Sequence, residues 1–159
     1  MAGEHQEPAS AESEEIVDLV FGVMGRFKSH FMEGVSEIGL TSPQAHALRH
    51  LAEPRSQREL AGCLGYDASN ITGIIDRLEE RGLVDRQVDP ADRRVKQLVI
   101  TPAGRDALEH LRQHLIANNP LVENLTADER RTFRDLLSKL SGGVGNEWLV
   151  GTGGHRGSP

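Results

Sequence analysis

The sequence of 159 residues contains one cysteine, few aromatic residues and no long hydrophobic run. A single cysteine excludes an intrachain disulfide and a four-cysteine zinc site. No apolar stretch approaches the ~18 residues that cross a bilayer, and the acidic N-terminus lacks a signal-peptide pattern. Aromatic residues make up 4% of the chain, so aliphatic side chains must fill the core. These absences predict a soluble cytoplasmic protein that has no membrane partner.

The net charge of −6 is unfavourable for a protein that binds nucleic acid. Residues 1–15 hold five glutamates and no lysine or arginine, so they account for −5 and leave −1 for the other 144 residues. Residues 69–96 contain six basic and six acidic side chains. A DNA-binding surface must therefore come from the placement of individual arginines rather than from bulk charge.

Hydrophobic spacing predicts a mainly helical domain between two tails. Apolar residues three and four positions apart indicate a first helix over about 16–36, after a mobile acidic tail at 1–15. Two further helices are predicted within about 102–141, and the glycine-rich segment 142–159 is expected to be frayed. Three shorter helices lie between them, with start and stop signals at Ser42, Ser56, Glu59, Gly65, Asp67 and Gly82.

The segment that follows Gly82 predicts a β-hairpin. Residues 83–88 and 95–101 contain β-branched side chains with partial alternation, and a charged turn separates them. The turn contains Arg93 and Arg94, so the hairpin has a basic tip. An arginine on a narrow turn suits the narrow, electronegative minor groove of DNA.

The helix after Asp67 has an apolar stripe on one face and a polar face opposite it. Short hydrogen-bonding side chains near its N-terminus can approach base edges in a major groove about 12 Å wide. A long cation further along the helix can hold the phosphate backbone. The polar face contributes Ser69, Asn70, Thr72, Gly73 and Arg77. The alternative interpretation is a small helical core with an exposed hairpin and no DNA partner.

Several motifs occur in a fixed order over about 16–140. They are Leu40-Thr41-Ser42-Pro43-Gln44, Glu59-Leu60-Ala61, Ile71-Thr72, Arg77-Leu78-Glu79-Glu80-Arg81-Gly82-Leu83-Val84, Asp89-Pro90, Asp92-Arg93-Arg94 and Leu98-Val99-Ile100-Thr101. As a set they resemble the MarR (multiple antibiotic resistance regulator) family of winged helix-turn-helix transcriptional regulators.

This resemblance implies a fold, an assembly and a partner. The fold is mainly α with a small β-hairpin wing, and six helices form an obligate-type homodimer. A MarR-type domain would span 16–141, with a DNA-binding lobe at 42–101 and dimerisation helices at 16–36 and 102–141. The dimer would bind a pseudo-palindromic operator in double-stranded DNA, usually to repress transcription.

The resemblance also implies roles by position. Ser69, Asn70 and Thr72 would read the major groove, Arg77 would contact phosphate, and Arg93 or Arg94 would enter the minor groove. Asp92 would hold that arginine in place rather than touch DNA.

The residues themselves support dimerisation less strongly. Amphipathic helices over 16–33 and 127–140 flank a module that is large enough to pack alone. Each helix could bury its stripe against a partner chain or fold back on its own chain.

A small-molecule effector of unknown identity is the remaining predicted partner. Family members often bind one between the dimer helices and the DNA-binding lobe, and here five residues could line such a cleft: Phe27, His30, Phe31, His46 and His50. The alternative is that the aromatic side chains belong to the core.

Histidines at i, i+4 occur as His46 and His50, and again as His110 and His114. Such pairs can chelate zinc, and some family members sense zinc through histidines on these helices. Gly34 and Ala45 occupy positions where further ligands would be needed. Neither a metal nor a cofactor is therefore expected, and Cys63 is expected to pack as a small, semi-buried residue.

An enzyme is not expected, because the sequence lacks a glycine-rich phosphate loop, a Gly-x-Ser-x-Gly elbow and a His-Glu-x-x-His motif. A protein-interaction adaptor on the same fold is the alternative that the net negative charge favours.

Overall fold

The computed structural model describes residues 7–89, 93–117 and 119–142, which form six α-helices and one three-stranded sheet. The mainly α fold with a β-hairpin is therefore confirmed. No helix in these ranges is both long and apolar enough to cross a membrane. In chain order the elements are α1 Glu7–Glu37, α2 Ser42–His50, β1 Arg55–Ser56, α3 Gln57–Leu64, α4 Ala68–Glu80, β2 Val84–Val88, β3 Lys96–Ile100, α5 Pro102–Ile116 and α6 Ala127–Leu140.

Helix α1 begins at Glu7 and runs for 31 residues, so the interpretation of residues 7–15 as a mobile tail is wrong. Alanine and glutamate have high helix propensity, and acidic residues near a helix N-terminus interact favourably with its dipole. These two effects extend the helix without any apolar stripe. Residues 1–6 and the predicted glycine-rich segment at 143–159 lie outside the described residues.

The start and stop signals of the central helices are confirmed. Ser56 N donates to Glu59 Oε2 at 2.8 Å and Glu59 N donates to Ser56 Oγ at 3.3 Å, which is the predicted capping box of α3. Gly65 ends that helix with φ of 66°, a left-handed conformation that favours glycine. The tight turn this permits sets the angle between α3 and α4.

The sheet has the antiparallel order β1-β3-β2. The predicted hairpin forms its larger part, with Val84 opposite Ile100 and Val88 opposite Lys96. Strand β1 was not predicted, because two residues are too short to show a periodicity. It pairs Arg55 with Leu98, which attaches the start of α3 to the hairpin.

The core lies between α2, α3, α4, α5, the sheet and the C-terminal half of α1. Helix α4 contributes Ile71, Ile75 and Leu78, all of which are fully buried. Burying this stripe turns the opposite face of α4 toward solvent.

The terminal helices expose apolar stripes. Of the described residues of α6, none is buried, and Leu140 is 82% exposed. In α1 the C-terminal half packs Phe31 and Val35 into the core, whereas Ile16 and Phe21 are 53% and 67% exposed. The alternative of folding back on its own chain therefore holds for the C-terminal half of α1, whereas the described part of the chain leaves the N-terminal half of α1 and the stripe of α6 uncovered.

A side-chain link joins the end of α4 to the turn between α1 and α2. The Arg81 guanidinium donates to the carbonyl oxygens of Gly39 and Ile38, the latter at 3.1 Å. The last turn of α4 and the C-terminal end of α1 therefore share one attachment point.

Candidate nucleic-acid interface

The N-terminus of α4 is capped by Asp67, whose carboxylate also orders the two residues predicted to read DNA. Asp67 Oδ1 accepts from Asn70 N at 2.8 Å and from Ser69 Oγ at 2.9 Å, while Oδ2 accepts from Asn70 Nδ2 at 2.9 Å. All three residues are exposed. The Ser69 lone pairs, the Asn70 carbonyl oxygen and one Asn70 amide proton keep hydrogen-bonding capacity.

Asp67 places a negative charge at this end of α4. The hydrogen bonds from the Asn70 backbone and the Ser69 side chain hold the pKa of Asp67 below its ordinary value, so the carboxylate stays ionised. The N-terminus of a helix ordinarily favours phosphate, because the positive end of its dipole lies there. The structure adds a carboxylate there, which opposes close approach of a phosphate.

Thr72 is less exposed than Ser69 and Asn70, the other two residues predicted to read the major groove. Its Oγ1 donates to Ala68 O at 2.6 Å and accepts from Gln57 Nε2 at 2.6 Å. The side chain is half-buried, and it joins α3 to α4. Gln57 was not singled out in the sequence, because only the folded helix pair brings residues 57 and 72 together.

Gly73 and Arg77 lie on the exposed face of α4 as predicted. A Cβ built on Gly73 would meet nothing within 4 Å in the described chain, so the helix surface is flat at this point. In the part of the chain that is described, the Arg77 guanidinium has no hydrogen-bond or ion-pair partner. It is therefore available to an external anion.

Two acidic residues on α4 pair with one arginine of the wing. Arg86 on β2 places Nη2 2.6 Å from Asp76 Oδ1, and its Nη1 pairs with Glu79. These contacts, that with Asp76 foremost, hold the pKa of Arg86 above its ordinary value. Arg86 thus attaches β2 to the predicted recognition helix and cancels carboxylate charge beside it. Sequence reasoning missed this residue, since the pairing requires the folded hairpin.

The wing carries its two arginines at the tip. Asp89 N donates to Val95 O at 2.9 Å and Gln97 Nε2 donates to Asp89 Oδ2 at 2.6 Å, closing the base of the turn. Arg93 and Arg94 lie in the turn and are exposed. The predicted role of Asp92 falls on 90–92, outside the described residues.

Comparison with known proteins identifies the fold and its function class. The family model that matches residues 38–95 is described as the MarR family. An uncharacterized HTH-type transcriptional regulator of Bacillus subtilis, YsmB, is 32% identical over 113 residues, covering 68% of this chain and 76% of that protein. This chain belongs to the MarR family. It is a DNA-binding transcriptional regulator with the predicted winged helix-turn-helix fold.

Solved MarR-family structures agree with this assignment. Wild-type MarR from E. coli in its apo form is 29% identical with a TM-score of 0.67, covering 77% of this chain and 93% of that chain. The transcriptional repressor CouR, bound to a 23-mer DNA duplex, is 29% identical with a TM-score of 0.62, covering 87% and 99%.

Of the five residues predicted to line an effector pocket of this MarR-family protein, His30 lines the cleft between α1 and α5, and the other four do not line that cleft. Phe31 is buried and makes an edge contact with His46, with ring centroids 5.5 Å apart. His30 instead stacks on His114 beside a cleft between α1 and α5 whose lining includes neither Phe31 nor His46, nor the other two predicted residues, Phe27 and His50. His46 is half-buried, and burial, followed by the nearby Arg49, lowers its pKa.

Cys63 is exposed, so its predicted packing role is wrong. It lies on the solvent side of the short helix α3, and Arg55 Nη1 is 3.9 Å from its sulfur. The core side of α3 is instead filled by Leu60, which is fully buried.

Replacing Arg86 with methionine is expected to weaken DNA binding while leaving the fold intact. The variant removes the one positive charge that Asp76 and Glu79 share, so the recognition helix gains one net negative charge near phosphate, worth about 1 kcal/mol of repulsion, or several-fold in affinity. The ion pairs themselves are partly exposed, at 24%, 49% and 37% for the side chains of Arg86, Asp76 and Glu79. The free energy of unfolding, followed by thermal denaturation, should therefore change by less than about 1 kcal/mol.

The control adds Asp76→Asn and Glu79→Gln to the Arg86→Met variant. Fluorescence anisotropy with a labelled duplex should show that the triple variant regains most of the lost affinity. Equal loss in the single and triple variants would mean that Arg86 contacts DNA itself.

Proposed function

We propose that this MarR-family regulator is a homodimeric repressor that reads a pseudo-palindromic operator, with α4 in each major groove and the wing in the adjacent minor groove. The observation that carries the proposal is the exposed polar face of α4. Its apolar stripe is fully buried, so the face that holds Ser69, Asn70 and Gly73 is presented to solvent on a rigid, capped helix.

The chemistry of that face suits base recognition. The Asn70 side chain offers a carbonyl oxygen and an amide proton, the pairing that recognises adenine in the major groove. Gly73 has no side chain, which allows α4 to enter the major groove deeply. Arg77 lies one turn beyond Gly73, where a long cation reaches the phosphate backbone. Thr72 supports α4 from behind through Gln57 rather than reading a base.

The wing supplies the second contact. Arg93 and Arg94 stand at the tip of a two-stranded ribbon whose root is tied to α4 by Arg86. This attachment sets the distance from the recognition helix to the tip. An arginine held in this way can enter a narrow minor groove, where the negative potential is strongest.

A second copy of the chain explains the uncovered stripes of the terminal helices. Large apolar surfaces on a folded chain commonly mark an interface. The exposed stripes lie on α1 and α6, at the two ends of the described chain. Association of two copies about a two-fold axis would bury both stripes. Such a dimer would place its recognition helices about 34 Å apart, one turn of DNA.

The sign of regulation follows by similarity. The DNA-bound neighbour CouR is a transcriptional repressor, and a dimer seated on an operator blocks polymerase by occupancy. A repressor of this type acts in the cytoplasm on DNA and carries out no catalytic reaction.

Selection of preferred duplexes from a random pool tests the proposal, and Asn70→Ala is the informative variant. Wild-type protein is expected to enrich a two-fold symmetric site with half-sites one helical turn apart. Asn70→Ala is expected to relax the preference at one base pair in each half-site, by about 1–3 kcal/mol of discrimination. Asn124→Ala, an exposed asparagine outside α4, is the matched control and should enrich the wild-type site.

A uniform loss of affinity for all sequences in Asn70→Ala would make this side chain a backbone contact. An unenriched wild-type pool would overturn the proposal.

The adaptor alternative is favoured by the net charge of −6 and by the ionised Asp67 at the tip of α4. Salt separates the two functions. Operator binding that neutralises several phosphates must weaken steeply with salt, with a slope of about −0.9 in log K against log salt for each phosphate. An adaptor would show no duplex binding at low salt.

A further inference from the structure

Three side chains capable of binding a metal meet between α1 and α5. His30 and Glu33 lie one turn apart on α1, and His114 approaches them from α5. One ligand atom from each residue lies within 4.8 Å of the other two. Of the four histidines that form i, i+4 pairs in the sequence, His114 belongs to this group. The other three, His46, His50 and His110, do not.

Within this cluster, His30 has a buried ring nitrogen without a hydrogen-bond partner in the described chain. The residue is 9% exposed, and its Nε2 is buried without a hydrogen-bond partner in the described chain. A buried polar atom left unpaired destabilises the folded chain, so a partner for it is favourable. The His30 ring stacks on that of His114, with centroids 4.5 Å apart, which holds the two imidazoles side by side.

His114 is oriented by a carboxylate in the way that metal-binding histidines are. Its Nδ1 lies 2.9 Å from Glu37 Oε2, and its Nε2 lies 3.1 Å from the carbonyl oxygen of His30. Both nitrogens face oxygen acceptors, so a neutral ring can donate to only one of them. When Nδ1–H donates to Glu37, Nε2 carries the lone pair that a metal requires, and a lone pair does not bond to the His30 carbonyl oxygen, so this tautomer frees Nε2 for an ion.

The backbone of α1 makes room for this approach. A Cβ at Gly34 would lie 2.6 Å from Cδ2 of His114, so any larger residue would displace the imidazole. The cluster also borders an open cleft of about 640 Å³ that is lined by His30, Glu33 and His114. An ion can therefore reach it from solvent.

We propose that His30, Glu33 and His114 form a binding site for a divalent ion of the zinc type. Two imidazole nitrogens and one carboxylate oxygen are a ligand set that zinc accepts, with water in the fourth position. Tetrahedral ligands at zinc distances are about 3.3 Å apart, so the set must close slightly around the ion. Glu33 is exposed and can supply most of that movement. Glu37 acts as the outer carboxylate that orients His114.

The test is a zinc titration of the full-length, metal-free protein in competition with a chromophoric chelator. Wild-type protein is expected to bind one Zn²⁺ per chain. Glu33→Gln, at an exposed position, should bind at least about 100-fold more weakly, and Glu37→Gln about 10–100-fold more weakly. His110→Asn and Glu123→Gln, an exposed histidine and an exposed glutamate outside the cluster, should match wild type.

Substitution with Co²⁺ gives a second readout that needs no buried variant. A four-coordinate site should produce intense visible d–d bands that disappear in Glu33→Gln and persist in His110→Asn. Wild-type zinc affinity in Glu33→Gln would overturn the proposal, as would a Co²⁺ spectrum of the hexa-aqua type. Both readouts are independent of DNA, so their failure leaves the repressor proposal standing.

Discussion

A variant carrying Leu136→Glu and Leu140→Glu is expected to be a monomer that no longer distinguishes its operator from random DNA. Both side chains lie on the exposed stripe of α6, at 55% and 82% exposure, so the substitutions leave the core of the single chain unchanged. In a dimer they would bury two carboxylates per subunit in an apolar interface. Unpaired charge in such surroundings costs several kcal/mol, which raises the dimer dissociation constant by roughly 10³-fold or more.

Light scattering after size-exclusion chromatography gives the oligomeric state, and anisotropy gives the operator affinity. The loss of affinity should be about 10³-fold or more, since a monomer can occupy only one half-site. Ser138→Glu with Arg131→Gln changes the net charge by the same −2 on the opposite face of α6 and should remain a dimer. A dimeric Leu136→Glu and Leu140→Glu protein would show that α6 lies outside the interface.

The double variant Arg93→Ala and Arg94→Ala is expected to lose about 10–100-fold in operator affinity for each arginine that enters a groove. Both residues are exposed at the wing tip, so thermal unfolding should be unchanged. The slope of log K against log salt should also become shallower by up to about 0.9 for each arginine. Of the single variants, Arg94→Ala should have the larger effect.

Arg134→Ala removes an exposed arginine from α6 and serves as the control, with operator affinity within twofold of wild type. The same anisotropy assay, run at several salt concentrations, measures the wild type and all four variants. Unchanged binding in both single variants and in the double variant would remove the wing from the mechanism.

The features that sequence predicted well are those with a local cause. The Ser56–Glu59 box, the Asp67 cap and the left-handed Gly65 each depend on residues within one turn, and all three are confirmed. The buried stripe of α4 follows from spacing alone, and with it the exposure of the opposite face. The family motifs extended these local signals to the fold and to the function class.

The features that sequence missed depend on segments that are distant in the chain. Arg86 reaches Asp76 only after the hairpin has folded back onto α4, and His114 reaches His30 across 84 positions. The prediction for the N-terminal part of α1 was wrong for a different reason. Its helix is sustained by propensity rather than by an apolar face, and a search for hydrophobic periodicity overlooks such segments.

The link from Arg81 to residues 38 and 39 has a consequence for how such a regulator can evolve. The acceptors are main-chain carbonyl oxygens, so drift in the side chain at position 38 leaves the joint intact. Loss of the arginine would remove this side-chain link and leave the shared core as the remaining connection between α4 and α1. A second copy that packs on α1 would therefore rest on a helix that is fastened to the DNA-reading helix of its own chain.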